Sequence, residues 1–191
     1  MTVAIDQFSG DYWFLCNFCY SPFEHTGFIW ETVEHYFQAM KTTDLKEREK
    51  IRKAGHPKFA KRFGRLTKLR PDWEDIKYTV MQIGVIEKFT QNDKLRNLLI
   101  KTYPRKLIEG NVWHDNVWGD CRCAICVSIK GQNLLGKILM DIRDNKFVLE
   151  AYIIDGDMYK DAISQTITVK RSLYDQRGSS KRITAFITSN R

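Results

Sequence analysis

Glu34, Gln38 and Lys41, in the stretch Thr32-Val33-Glu34-His35-Tyr36-Phe37-Gln38-Ala39-Met40-Lys41, place a carboxylate, an amide and an amine at i, i+4 and i+7. At 3.6 residues per turn the three share one helix face. Thr32 is a suitable N-cap before a run without Gly or Pro. Tyr36, Phe37 and Met40 supply apolar surface on the other sides. A carboxylate, an amide and an amine in line on a mostly apolar helix suit the wall of an active site. The same pattern also fits a surface stripe with an ordinary ion pair.

A second group with chemical potential is Trp113-His114-Asp115-Asn116-Val117-Trp118-Gly119-Asp120. Asp115 and Asp120 stand beside two tryptophans, a setting in which desolvation can raise a carboxyl pKa. Structural tryptophans with a turn-forming Asp would read the same way. Gly131-Gln132-Asn133-Leu134-Leu135-Gly136 follows, and Leu135, Ile138, Leu139 and Ile142 predict a helix over 133–143. A Gly-containing loop that feeds a helix N-terminus can hold an anion on free backbone N–H groups. Trp73 is either a core staple or a stacking platform for a base. Asn17, in Phe14-Leu15-Cys16-Asn17-Phe18, is either a turn residue or an amide facing a ligand.

Cys16-x-x-Cys19 and Cys121-x-Cys123-x-x-Cys126 together could share a tetrahedral zinc ion. Against that, the spacings do not repeat a CxxC pair, and Cys16 and Cys19 lie in an aromatic stretch where small buried thiols are natural. The expectation is five reduced thiols, with no metal and no cofactor.

These residues need a scaffold. A chain of 191 residues accommodates one domain plus an appendage, with enough length for a proper core. No apolar run approaches the roughly 20 residues of a membrane span. The N-terminus shows no export signal, so a cytoplasmic protein is expected. Residues 8–30 are aromatic-rich and punctuated by Gly10, Pro22 and Gly27, which predicts short strands and turns. Two short helices are predicted over 44–67, the first ended by Gly55 and the second entered by Pro57. A long helix follows Pro71, with Asp72 as N-cap, Asp75 in capping-box position and Ile76, Val80, Ile83 and Ile86 as its buried stripe. Asp93 opens a further helix with Leu95, Leu98 and Leu99 facing inward.

Residues 41–70 carry 12 Lys and Arg against three acids, enough to account for the net charge of +8. A solvated helical face explains most such runs, yet concentrated positive charge also attracts phosphate-bearing ligands. Beyond Asn145 the texture changes to strand candidates at Phe147–Ile154, Ile163–Val169 and Ile183–Ile187, with a turn at Asp155-Gly156 and a flexible Gly178-Ser179-Ser180. Residues 146–191 are therefore expected to form a small β-rich C-terminal extension to a domain spanning 1–145.

The order of these motifs resembles the NADAR domain, the YbiA-like family. The resemblance covers roughly residues 8–145. It runs through Phe14-Leu15-Cys16-Asn17-Phe18, Glu34-His35-Tyr36-Phe37-Gln38-Ala39 with Lys41, Gly64-Arg65, Arg70-Pro71-Asp72-Trp73 and Lys88-Phe89. It continues with Asp115, Trp118-Gly119-Asp120 and Gly131-Gln132-Asn133-Leu134-Leu135-Gly136. The family implies a mainly helical α+β domain that cleaves N-glycosidic bonds. Its members act on ADP-ribosylated guanine in nucleic acid or nucleosides, or on phosphorylated riboflavin-pathway intermediates. By motif match, Glu34, Lys41, Asp115 and Asp120 are the catalytic candidates. Asn17, Gln38, Arg65, Trp73, Trp118, Gly119, Gly131 and Asn133 are the substrate-binding candidates. Cys16 replaces the common Ser before Asn17, Cys121 replaces a Gly after Asp120, and the 121–130 loop is more apolar than the usual glycine-rich connection.

Both substrate classes are ribosylated amines, which leaves two routes. In one, the ribose opens to an imine and Lys41 takes over its carbon as a Schiff base, with Glu34 as proton shuttle. In the other, the ring stays closed and Asp115 or Asp120 activates water. Three function classes follow: a hydrolase of ADP-ribosylated guanine, a hydrolase of riboflavin intermediates, and a non-catalytic ADP-ribose or nucleic-acid binding module. The basic stretch favours the first, with an ADP-ribosylated nucleic acid or nucleotide as partner and no membrane.

Overall fold

The computed structural model describes residues 3–144 and, beyond them, the backbone of strands 166–168 and 186–188. The architecture is α+β and mainly helical, with every described sheet two-stranded. The chain is organised around α1 (Val33–Ala39), whose seven residues are all buried. Thr32 caps it as expected, its hydroxyl oxygen accepting from the His35 N–H at 3.2 Å. The His35 ring closes the same turn from within. Its Nε2 lies 2.7 Å from the Ala54 carbonyl and its Nδ1 2.8 Å from the Thr32 hydroxyl. A carbonyl only accepts, so Nε2 carries the proton and Thr32 donates to Nδ1. Burial lowers the His35 pKa, in keeping with this neutral tautomer.

Two hairpin strands lead into α1. β1 (Phe23–His25) pairs antiparallel with β2 (Phe28–Trp30), Phe23 opposite Trp30, across a turn in which Thr26 and Gly27 both take positive φ. After α1 come α2 (Leu45–Arg52), capped by Asp44, and α3 (Pro57–Leu66), with Pro57 in its first turn. Both α2 and α3 pack on α1. The α3 contact is so close that a Cβ on Gly64 would fall 2.2 Å from Gln38 Oε1. Only a residue without a side chain fits there.

The long α4 (Trp73–Gln91) also packs against α1, burying Ile76, Val80 and Ile86 with Ile83 half-buried. Its expected capping box does not form. Asp72 makes no cap hydrogen bond because Arg70 grips its carboxylate through Nε at 2.6 Å and Nη2 at 2.9 Å. In α5 (Asp93–Lys101) only part of the expected stripe is internal: Leu99 is buried, Leu95 half-buried and Leu98 exposed. The buried line follows the i, i+4 pair Leu95–Leu99, and Leu98 lies off it. Lys88 of α4 is buried and donates from Nζ to the Cys16 carbonyl at 2.9 Å, tying the 14–18 segment to the core. Burial pulls its pKa down to about 8.

The second half of the site rests on β3 (Gly110–Asn111) and β4 (Asp120–Cys121), which pair in parallel. It also rests on α6 (Leu134–Arg143), which buries Leu135, Ile138, Leu139 and Ile142 as expected. Of the C-terminal strand candidates, β5 (Thr166–Thr168) and β6 (Phe186–Thr188) pair antiparallel, Thr166 opposite Thr188. Phe147–Ile154, Asp155-Gly156 and Gly178-Ser179-Ser180 lie outside the described residues. Among the described residues, no helix is long and apolar enough to cross a membrane.

Candidate functional site

The polar face of α1 is enclosed rather than solvent-facing. Glu34 is 5% exposed and Gln38 4%, and Gln38 Nε2 donates to Glu34 Oε1 at 2.8 Å. The helix entrance is fixed by the Asn17 carbonyl, which accepts from the Glu34 N–H at 3.1 Å. Lys41 follows the helix cap Met40, with its Nζ 5.6 Å from the centre of the Phe37 ring and 5.8 Å from that of Trp73. Phe37 also meets Trp73 and Trp118 edge to face, at centroid separations of 5.1 and 5.4 Å. One aromatic ring thus joins the α1 wall to both tryptophans and to the lysine.

Electrostatics link these groups to α3. Burial raises the Glu34 pKa, opposed by Lys61, by the Gln38 hydrogen bond, and by Lys41 and Arg65. Burial lowers the Lys41 pKa, opposed by Glu34 and reinforced by Lys61 and Arg65. The acid is pushed toward its protonated form and the amine toward its free base. Those are the states in which one can donate a proton and the other can attack carbon.

The expected basic surface is divided in two. Arg52 and Lys53 pair with Glu49, and Arg70 pairs with Asp72, whereas Lys61 and Arg65 are directed electrostatically at Glu34 and Lys41.

Glu109, at the start of the β3 segment, was not among the residues singled out in the sequence. Burial, with the charges of Asp115 and Glu34, pushes its carboxyl up to about 8, against the pull of Lys61. Its Oε2 is buried without a hydrogen-bond partner. A protonated carboxyl in that position has a proton to offer a bound molecule. Lys61 was likewise only one of a run, although it stands four residues before Arg65 on α3 and so projects from a similar face.

The acids around Trp118 are braces as well as neighbours. Asp115 Oδ1 accepts from the Val117 N–H at 3.1 Å and the Trp118 N–H at 2.8 Å. Asp120 Oδ1 accepts from the Gly131 N–H at 2.7 Å. Asp115 stays coupled to the site through Glu109, while Asp120 joins the two loops. Gly119 and Gly131 serve close backbone approach, since a Cβ on either would fall within 2.4 Å of a carbonyl oxygen. Both ends of the Asn133 amide are spent on backbone: Nδ2 on the Leu107 carbonyl and Oδ1 on the Glu109 N–H, each at 2.9 Å. Asn17 donates from Nδ2 to Met81 Sδ at 3.3 Å. Trp73 is 5% exposed and so packs the site wall. The half-buried Trp118 is the tryptophan with accessible surface here.

The five cysteines fall into two separate groups. Cys121, Cys123 and Cys126 gather with His114, whereas Cys16 and Cys19 lie near Lys88 of α4.

The NADAR domain pattern matches residues 6–145. The chain is 42% identical over 138 residues to the N-glycosidase YbiA of Escherichia coli (strain K12), covering 71% of this chain and 82% of that protein. The solved NMR structure of E. coli YbiA superposes with a TM-score of 0.65 at 41% identity, covering 76% of this chain and 86% of that one. A riboflavin biosynthesis protein of Vibrio vulnificus, VVA0006, is 37% identical over 133 residues, which are 69% of this chain and 35% of that protein.

Proposed function

We infer that this chain, which belongs to the NADAR domain family, is an N-glycosidase that releases ADP-ribose from ADP-ribosylated guanine in nucleic acid or nucleotides. The observation that carries this reading is that Lys41 and the buried Glu34 act on one another electrostatically and that two further cations, the half-buried Lys61 and the exposed Arg65, act on both. The two additional positive charges suit the pyrophosphate of ADP-ribose. The exposed part of Trp118 suits a flat base.

The chemistry proceeds in balanced steps. The lone pair of the guanine amine forms a C=N bond to the anomeric carbon as the C–O bond of the ring breaks, and the ring oxygen takes a proton from Glu34. The Lys41 amine adds to that carbon, and its surplus proton returns through Glu34 to the guanine nitrogen, which leaves as free amine. Water then adds to the protonated Lys41 imine and releases neutral lysine and the sugar aldehyde, the proton left over restoring Glu34 to its acid form, and the aldehyde closes again to ribose. Glu109, protonated at neutral pH and with a buried Oε2 that lacks a hydrogen-bond partner, is assigned a hydrogen bond to a substrate oxygen.

A second reading, hydrolysis of a phosphorylated aminopyrimidine glycoside, is favoured by the likeness to a protein named for riboflavin biosynthesis. The same lysine chemistry would serve it. Incubation of the full chain with ADP-ribosylated DNA and, separately, with the phosphorylated aminopyrimidine, followed by mass spectrometry, separates the two. Release of ADP-ribose from the first, leaving unmodified guanine in the DNA, with the second intact supports the primary reading. The reverse result replaces it with the second, and no release from either returns the chain to the binding-module class. Residues 146–191 fall beyond the family match and are proposed as an extension outside this chemistry.

A further inference from the structure

We propose that His114, Cys121, Cys123 and Cys126 form a structural zinc site that clamps the Asp115–Asp120 segment at both ends. The four ligand atoms all lie within 4.8 Å of one another. His114 Nδ1 is 3.3 Å from the sulfur of Cys126 and 3.3 Å from that of Cys123. A zinc tetrahedron with metal–sulfur bonds of about 2.3 Å and a metal–nitrogen bond of about 2.0 Å has ligand–ligand edges of roughly 3.5–3.8 Å. The cluster is within a small side-chain adjustment of that figure. Three thiolates and an imidazole are a common structural zinc set, and four protein ligands leave no open position for catalysis.

The surrounding chain supplies an independent reason for a metal. Val112, Trp113, Ile125, Val127 and Ile129 are all exposed, so the 112–130 segment has little apolar core of its own. Cys121 and Cys126 are its buried side chains, and they point to the same spot as Cys123 and His114. The backbone is already shaped for the arrangement. His114 holds φ at +68°, a conformation uncommon for a residue other than glycine. The Cys126 N–H lies 3.4 Å from the Cys123 sulfur, where it supports a thiolate.

The ligand positions give the metal its structural effect. His114 immediately precedes Asp115, and Cys121 immediately follows Asp120. A metal bound to both fixes the start and the end of the segment that carries Asp115 and Trp118. The three thiols each give up a proton on binding, and His114 offers its Nδ1 lone pair with its own proton on Nε2. The proposal does not depend on which N-glycoside is the substrate.

The test is elemental analysis of full-length protein purified without a metal-affinity tag. About one zinc per chain is expected. Cys123→Ser and Cys126→Ser should bring zinc to background, and a Cys16→Ser/Cys19→Ser double variant should retain it. Because the ligand variants can fail to fold, wild type stripped by chelator under reductant is also titrated with cobalt. A thiolate-to-cobalt charge-transfer band with intense visible bands of tetrahedral cobalt, bleached by zinc, is the expected result. No tetrahedral cobalt spectrum in reduced wild type, or zinc lost only in the Cys16/Cys19 double variant, would overturn the assignment.

Discussion

Glu109 should make the stability of this fold decline with rising pH, and Glu109→Gln should remove most of that decline. The carboxyl is raised from 4.5 to about 8, chiefly by burial, and its Oε2 has no hydrogen-bond partner. Between those two values the unfolded chain has released the proton and the folded chain still holds it. The unfolded state then binds fewer protons, so unfolding becomes easier as pH rises. The contribution is therefore complete below 4.5 and is lost as pH climbs through about 8. The window is about 3.5 pH units, and at about 1.4 kcal/mol per unit the ceiling is about 5 kcal/mol. Relaxation and water entry around a newly charged carboxylate reduce this, so a loss of roughly 2–4 kcal/mol is expected. Urea unfolding of wild type and Glu109→Gln at several pH values from about 5 to about 8 measures it. The two proteins should be similar at the acid end, with the variant increasingly more stable toward the alkaline end. Parallel stability curves would refute the reasoning and place the carboxyl in contact with solvent.

Gly64→Ala should destabilise the protein by about 1–3 kcal/mol in urea unfolding, because the new Cβ would fall 2.2 Å from Gln38 Oε1 and push α3 away from α1. It should also lower kcat through displacement of the Glu34 hydrogen bond to Gln38; an unchanged melting temperature would count against the tight α1–α3 contact. Trp73→Ala should cost about 3–5 kcal/mol as a buried aromatic truncation. Trp118→Ala should melt closer to wild type and instead raise KM; the opposite assignment of stability and KM effects would exchange the roles given to the two rings.

Local features of the chain were legible wherever a local interaction decides them. The Thr32 cap, the α1 pattern, the Pro57 entrance and the Leu135–Ile142 stripe all depend on neighbours within a turn or two, and all form. The expected Asp72 cap did not form because a competing cation, Arg70, stands two residues before it. Burial of the polar face of α1 could not be read from its own sequence, since the approach of α3 through Gly64 closes it. Glu109 left no signal at all. Its raised carboxyl pKa results chiefly from burial, with the charges of Asp115 and Glu34 adding to it, and other parts of the chain supply that enclosure. Asp115 and Asn133 were legible as residues of interest, yet much of their bonding capacity goes into shaping the loops around Trp118 and Glu109. The metal-like grouping depended on His114, which lies seven residues before Cys121 and matches no short ligand spacing in the chain.

The central claim is that Lys41 attacks the opened ribose, and sodium borohydride added during turnover tests it most directly. The account predicts a reduced secondary-amine adduct of ADP-ribose mass on the peptide containing Lys41, absent without substrate. Lys41→Arg, which retains the charge but cannot form the imine, should bind substrate nearly as well as wild type and show almost no turnover. Robust turnover by Lys41→Arg, with no adduct trapped on wild type, would contradict the account and leave Asp115 or Asp120 to activate water against a closed ring.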